Sequence, residues 1–307
     1  MTQPKEFQQI LTDGGVGDLI CELVAVDWNI RNHPSVHFHV WVPDYLLSFA
    51  KHVLSPGATV RPFSKAKSKF RSDIEGMTTE WCTNHTAMRT HPVDYGFHML
   101  SDRHIYDLNQ KNYLQIIPQK PKTKLPQRYV TIAATAAEPV KAMPVETLNA
   151  IIDYVVGKGY TPVFLGREES HTGLKDFKVK SRPIPIDYSK GINLINKTDL
   201  LEAAQIISGS QCFIGMDGGL THLAGCTNTN IVAGYTLVDP IHVAPIRFGT
   251  QNYRFYPVEP SHDIANRYYQ TWNSGFKKGD FRVFPGWEKV VADMTPEKFI
   301  KKLEGIL

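Results

Sequence analysis

Two glycine-rich stretches, each holding a carboxylate, contain the residues best suited to chemistry. The first reads Asp13-Gly14-Gly15-Val16-Gly17-Asp18 and the second Gly215-Met216-Asp217-Gly218-Gly219-Leu220-Thr221-His222. A short strand pattern runs into each, and a helical pattern leaves it. At such a turn the first N–H groups of the helix lack intrahelical partners, the helix dipole adds positive potential, and glycine lets a ligand come close to the backbone. An anion fits there, and a diphosphate is expected at one of the two. Other phosphate and metal patterns are missing. A dinucleotide fingerprint starting at Gly15 needs a third glycine where Ile20 stands. No G-x-x-x-x-G-K-[ST] occurs, which argues against a P-loop nucleotide triphosphatase. No two aspartates stand two residues apart, so the D-x-D pattern that holds a nucleotide diphosphate through a cation is absent, and metal dependence is not expected. His37 and His39 share a strand face without Cys, Asp or Glu at ligand spacing, so no metal is expected there either.

The elements that must position these loops follow from hydrophobic period. Residues 7–12 read as a strand, and Leu19, Ile20, Leu23 and Val24 share one face of the helix after the first loop. Residues 36–42 alternate cleanly, Pro43 opens a helix over 44–54, and 59–63 read as a third strand. Three prolines and three lysines between residues 117 and 127 suit a stiff exposed connector, and the domain boundary is set there, at 1–125 and 126–307. Beyond it come strands at 129–135, 161–166, 211–216 and 230–234. They alternate with helices at 145–156, at 200–208 opened by Thr198 or Asp199, and from Gly219. An irregular aromatic stretch then leads to a last helix at 296–303. Strands alternating with helices imply an α/β fold with parallel sheets.

Composition sets the outer limits. At 307 residues, two domains are expected, and 42% apolar with 21% charged residues is ordinary globular usage rather than a disordered chain. No run is long and apolar enough for a membrane span, and the opening MTQPKEFQQI has no basic segment leading into an apolar one, so a cytoplasmic protein is expected. Cys21, Cys82, Cys212 and Cys226 are far apart in sequence, and disulfides are not expected. A net charge of +4 is compatible with an anionic ligand.

A family resemblance joins these observations. D-G-G-V-G-D-L-I at 13–20, A-T-A-A-E-P-V-K-A-M-P at 134–144, P-V-F-L-G-R-E-E at 162–169, G-M-D-G-G-L-T-H-L-A-G at 215–225 and G-Y-T-L-V-D-P at 234–240 occur in that order. The chain resembles the ADP-heptose:lipopolysaccharide heptosyltransferases, glycosyltransferase family 9. The resemblance implies a GT-B fold, two Rossmann-like doubly wound domains facing across a cleft. The first would bind acceptor and the second a nucleotide-sugar, with the C-terminal helix a candidate to pack back on the first.

The resemblance also assigns roles. Asp18 takes the place of the catalytic aspartate, with Asp13 the competing carboxylate. Lys141 takes the place of the lysine on the donor phosphates, although Ala142 and Met143 replace part of the family's Lys-x-Trp-Pro motif. Asp217, Gly218, Gly219, Leu220, Thr221 and His222 would cradle the diphosphate, Thr221 through its hydroxyl, and Gly218 stands where a Thr or Ser is common. Gly15, Gly17, Thr135, Glu168 and Thr236 complete the donor-side residues. The expected function is metal-independent, inverting transfer of a sugar from a nucleotide-diphosphate sugar to a hydroxyl of an anionic acceptor. No cofactor beyond the donor is expected, and a bacterial surface glycan is the first choice of acceptor. Two alternatives stay open. Lys65, Lys67, Lys69 and Arg71, with the aromatic stretch at 253–287, suit a bacteriophage-type enzyme acting on hydroxymethylated DNA bases in the host cytoplasm. The motif departures suit a nucleotide-binding protein without catalysis. Oligomeric state is not legible.

Overall fold

The computed structural model describes residues 5–10, 15–62, 64, 114–172, 177–236, 240–245, 254–261 and 286–307. Asp13, Gly14, Cys82, the basic residues 65–71 and the aromatic residues 262–285 lie outside the described residues.

The first unit runs β1 (Lys5–Ile10), α1 (Val16–Asn32), β2 (Val36–Val42), α2 (Leu47–Val53) and β3 (Ala58–Pro62). Its strands form a parallel sheet in the order β1-β2-β3. The helix expected over 44–54 begins instead as a tight 3-10 turn, Asp44–Leu46, because Pro43 fixes the chain in an extended conformation just before it.

The second unit runs β4 (Tyr129–Ala133), β5 (Thr135–Ala136), α3 (Val145–Gly157), β6 (Thr161–Leu165), β7 (Glu169–Thr172), β8 (Phe177–Lys180), β9 (Arg182–Pro183) and β10 (Ile192–Asn193). It continues with α4 (Leu200–Ser208), β11 (Cys212–Met216), α5 (Gly219–Gly225), β12 (Asn230–Gly234), α6 (Pro240–Val243), β13 (Phe255–Val258), α7 (Trp287–Ala292) and α8 (Pro296–Leu303). Six of these strands make one parallel sheet in the order β10-β6-β4-β11-β12-β13. Of the two caps proposed for α4, Asp199 is the one used: its carboxylate accepts the N–H of Glu202 at 2.8 Å.

One apolar cluster covers each face of the six-stranded sheet. On one face α3 and α8 pack on Val130, Ile132, Ile214 and Val232. The last helix lies against α3. On the other face α4 and α5 pack on Phe213 and Ile231, and the same cluster continues through α1 and α2 to β2. That continuity explains α1. The sequence suggests a helix with one apolar face, yet Leu19, Cys21, Val24 and Val26 are all buried, because the three-stranded sheet covers one side and α5 the other.

The connector is less free than its composition suggests. Its side chains are largely exposed, but Glu202 of α4 accepts the N–H groups of Lys122 and Thr123 at 3.1 and 2.9 Å, and Gln205 accepts that of Gln119 at 2.6 Å. Ile116 donates its N–H to the carbonyl of Cys226 at the end of α5. Among the described residues no helix is long and apolar enough to cross a membrane, and the three described cysteines are free.

Candidate active site

From β4 the chain builds the six-stranded sheet outward through β6 to β10, then returns to the other side of β4 and builds outward through β11, β12 and β13. The order reverses between β4 and β11, and a crevice at the carboxyl ends of the strands opens at such a reversal. Lys141 follows β4 and Asp217 follows β11, so both stand at that point.

The two glycine loops meet there. A Cβ on Gly17 would lie 2.5 Å from Cδ2 of His222, and one on Gly219 would lie 2.7 Å from Cβ of Val16. The starts of α1 and α5 are thus in contact through positions that tolerate no side chain. Gly218 differs: its backbone is extended, and the nearest atom to an added Cβ is the Met216 carbonyl oxygen at 3.9 Å. The N–H groups of Thr221 and His222 close on the Gly218 carbonyl, and that of Asp217 on Gly234. Those of Gly218, Gly219 and Leu220 begin the helix without intrahelical acceptors.

Four ionisable groups surround this contact. Asp18 accepts the N–H of Gly15 on Oδ2 at 2.7 Å, which closes the start of α1, while Oδ1 makes no hydrogen bond among the described residues. Lys141 ends a 3-10 turn, Pro139–Lys141, and its Nζ pairs with Oδ2 of Asp217 at 2.8 Å. The two side chains are 31% and 9% exposed, so the ammonium is the accessible half and the carboxylate its buried counter-charge. Thr236 donates its hydroxyl to the carbonyl of Val140, the residue before Lys141, and so anchors this turn. His222 is buried, with Nδ1 3.7 Å from Sγ of Cys21.

These groups act on one another. Burial raises the Asp18 carboxyl above its ordinary 3.8, against the opposing pull of the Gly15 N–H, His222 and Lys141. Burial alone would lower Lys141, but Asp217, then Glu138 and Asp18, hold the ammonium above its ordinary value. Burial lowers His222 from 6.5, against Asp217 and Asp18, which leaves a neutral ring at neutral pH. A carboxylate with a raised pKa beside a maintained cation and free amides can remove a proton and neutralise a departing anion.

Not every expected residue joins this group. The Thr221 hydroxyl donates to the Met216 carbonyl at 2.6 Å, so the hydroxyl expected for a diphosphate is engaged inside its own turn. Thr135 and Glu168 stand together at the end of β6. The Thr135 hydroxyl accepts the Arg167 N–H at 3.4 Å, and Glu168 exchanges two hydrogen bonds with Asn196, at 2.7 and 2.9 Å. Glu168 is exposed there, next to the crevice rather than at the helix contact. Three residues beside the site escaped the sequence reading. Cys21 touches His222, while Tyr45 and Tyr235 carry buried hydroxyls without partners among the described residues. Burial raises both tyrosines, with Asp18 and Glu22 adding to the effect at Tyr45, and Asp217 and Cys21 at Tyr235. Helical spacing from Asp18 could have found Cys21 and Glu22, but no spacing points to the tyrosines. Among the described residues no three His, Cys, Asp or Glu side chains gather as a metal site. His37 instead pairs with Thr59 at 2.9 Å.

Comparison with known proteins agrees with this fold. The profile of glycosyltransferase family 9 (heptosyltransferase) matches residues 79–265, more than half of the chain. No curated protein matches it. Among solved structures, the dodecameric iron-containing glycosyltransferase TibC from enterotoxigenic E. coli is similar over 100% of this chain and 76% of its own, at 14% identity and a TM-score of 0.68. A family 9 glycosyl transferase from Veillonella parvula is similar over 100% and 98%, at 14% identity and 0.62. The E. coli ADP-heptose LPS heptosyltransferase II is similar over 97% and 98%, at 13% identity and 0.63. With a parallel sheet, a switch-point crevice and a family match across its central segment, the chain belongs to glycosyltransferase family 9 and is a glycosyltransferase of GT-B architecture.

Proposed function

We propose that this protein moves a sugar from a nucleotide-diphosphate sugar to a hydroxyl of an anionic glycan acceptor, with inversion and without a metal. The observation that carries the reading is the meeting of Asp18, from the helix of the first sheet, with the Lys141–Asp217 pair of the second. In this scheme residues 1–125 present the acceptor and residues 126–307 hold the donor.

The acceptor oxygen attacks the anomeric carbon from the side opposite the leaving group, and the bond from that carbon to the phosphate oxygen breaks in the same step. The free oxygen of Asp18 takes the acceptor proton. The nucleoside diphosphate leaves with the bonding electrons, and its growing charge is met by the Lys141 ammonium and by the N–H groups of Gly218, Gly219 and Leu220. Lys141 supplies a compact positive charge, the role a metal ion fills elsewhere. Asp217 keeps that ammonium charged and aimed, and Thr236 holds the turn that carries it. Glu168, exposed at the neighbouring strand end, suits the ribose hydroxyls.

ADP-heptose is the first donor to test, because TibC has been solved with ADP-D-beta-D-heptose and the E. coli relative is an ADP-heptose LPS heptosyltransferase. The net charge of +4 favours an anionic acceptor. The test is a thermal-shift panel of nucleotide-sugars followed by measurement of nucleotide diphosphate release, since a ligand that binds only the folded state raises its stability. One nucleotide-sugar is expected to stabilise the protein and to be turned over. Stabilisation by none of them, with no release, would reject the reading.

A further inference from the structure

The side chain and backbone of His222 are both gripped by sulfur. Cys21, from α1, places Sγ 3.7 Å from Nδ1, and Cys226 directs its thiol to the His222 carbonyl at 3.6 Å. All three residues are buried. The ring edge formed by Cδ2 and Nε2 packs over Gly17, where an added Cβ would stand 2.5 and 3.1 Å from those atoms, so the imidazole cannot swing toward α1. Nε2 makes no hydrogen bond among the described residues.

The chemistry of the contact sets the proton's position. A thiol is a weak donor and a poor acceptor, whereas an unprotonated imidazole nitrogen accepts well. Burial and the nearby Asp18 keep the Cys21 proton on sulfur. A neutral imidazole carries a single N–H, so a ring that accepts at Nδ1 must donate at Nε2.

We propose that Cys21 is a positioning residue: its S–H holds Nδ1 of His222 and fixes the ring as the Nε2–H tautomer, presenting that N–H beside the start of α1 to an oxygen of the anionic donor. The inference rests on the reading that a nucleotide diphosphate binds at this contact. It assigns to Cys21 a role that its burial alone would not suggest.

The test is 15N NMR of histidine-labelled protein at about pH 7.5, above the ordinary histidine pKa of about 6.5, with the His222 signals assigned by loss in His222→Gln. The expected spectrum has a protonated Nε2 and an unprotonated Nδ1. Cys21→Ala should let the tautomers mix, drawing the two shifts together, and Cys21→Ser should restore their separation. In steady-state kinetics Cys21→Ala should raise the donor KM about threefold to tenfold, the reach of one modest hydrogen bond, with kcat nearly unchanged, and Cys21→Ser should recover it. A protonated Nδ1 in the parent protein would overturn the proposal, and this arm needs no variant of Cys21. Shifts and KM in Cys21→Ala equal to those of the parent would overturn it as well. Because the tautomer is read without ligand, its failure is distinct from failure of the transferase reading, which would show as no nucleotide-sugar perturbing the protein at all.

Discussion

Asp18 closes the start of α1 through Oδ2 on Gly15, and Oδ1 makes no hydrogen bond among the described residues. Its native pKa lies above 3.8, so the folded state holds the proton to higher pH than the unfolded chain does. The stability lost by ionising it therefore appears as pH rises from about 3.8 through the raised native value and persists above it. Asp18→Asn, which can keep the cap, should be more stable than the parent near neutral pH and lose that advantage at acid pH, as denaturant titrations at several pH values will read. His222 acts in the opposite sense: its depressed native pKa means stability is lost as pH falls from about 6.5 through the native value. Lys141→Ala leaves Asp217 buried without its counter-charge. Initial rates should fall about 10²- to 10³-fold, and stability by about 1–3 kcal/mol, held down by the partial exposure of the ammonium. Asp18, Lys141, Asp217 and His222 were legible because each lies in a short motif whose local order sets its place. Tyr45 and Tyr235 were not, because only packing between distant segments brings their hydroxyls to the acidic residues.

At the scale of elements, Gly17 and Gly219 mark where the two helices of the site touch. Gly17→Ala forces a Cβ into the His222 ring and should destabilise the fold by about 1–3 kcal/mol, whereas Gly218→Ser should change stability by less than about 0.5 kcal/mol. Parallel chemical denaturation of the two variants checks the contrast; equal losses would contradict the packing described. The elements β2, α4, β12 and α8 were legible to within a residue or two because each is an apolar run or face with a cap, proline or turn residue at its edge. The strands β5, β9 and β10 were not, since two residues carry no period and their pairing depends on partners far along the chain. The burial of α1 on more than one face was also hidden, as it comes from a second sheet's helices rather than from the helix's own pattern.

Over the whole molecule, a continuous apolar cluster and a tethered connector join the two sheets, so Asp18 and the Lys141–Asp217 pair meet at one place. Glu202→Ala removes the acceptor for the N–H groups of Lys122 and Thr123 and is expected to lower stability by about 1–2 kcal/mol while donor affinity is unchanged, read by denaturation and donor titration. In the proposed reaction Asp18, on the first sheet's helix, acts on the acceptor, and the Lys141–Asp217 side grips the donor. Its most direct test measures donor Kd and kcat for Asp18→Asn in the same preparation. Turnover is expected to fall by about 10²- to 10⁴-fold with donor Kd unchanged within about twofold. Near-parental turnover, or loss of donor binding in a folded variant, would contradict it.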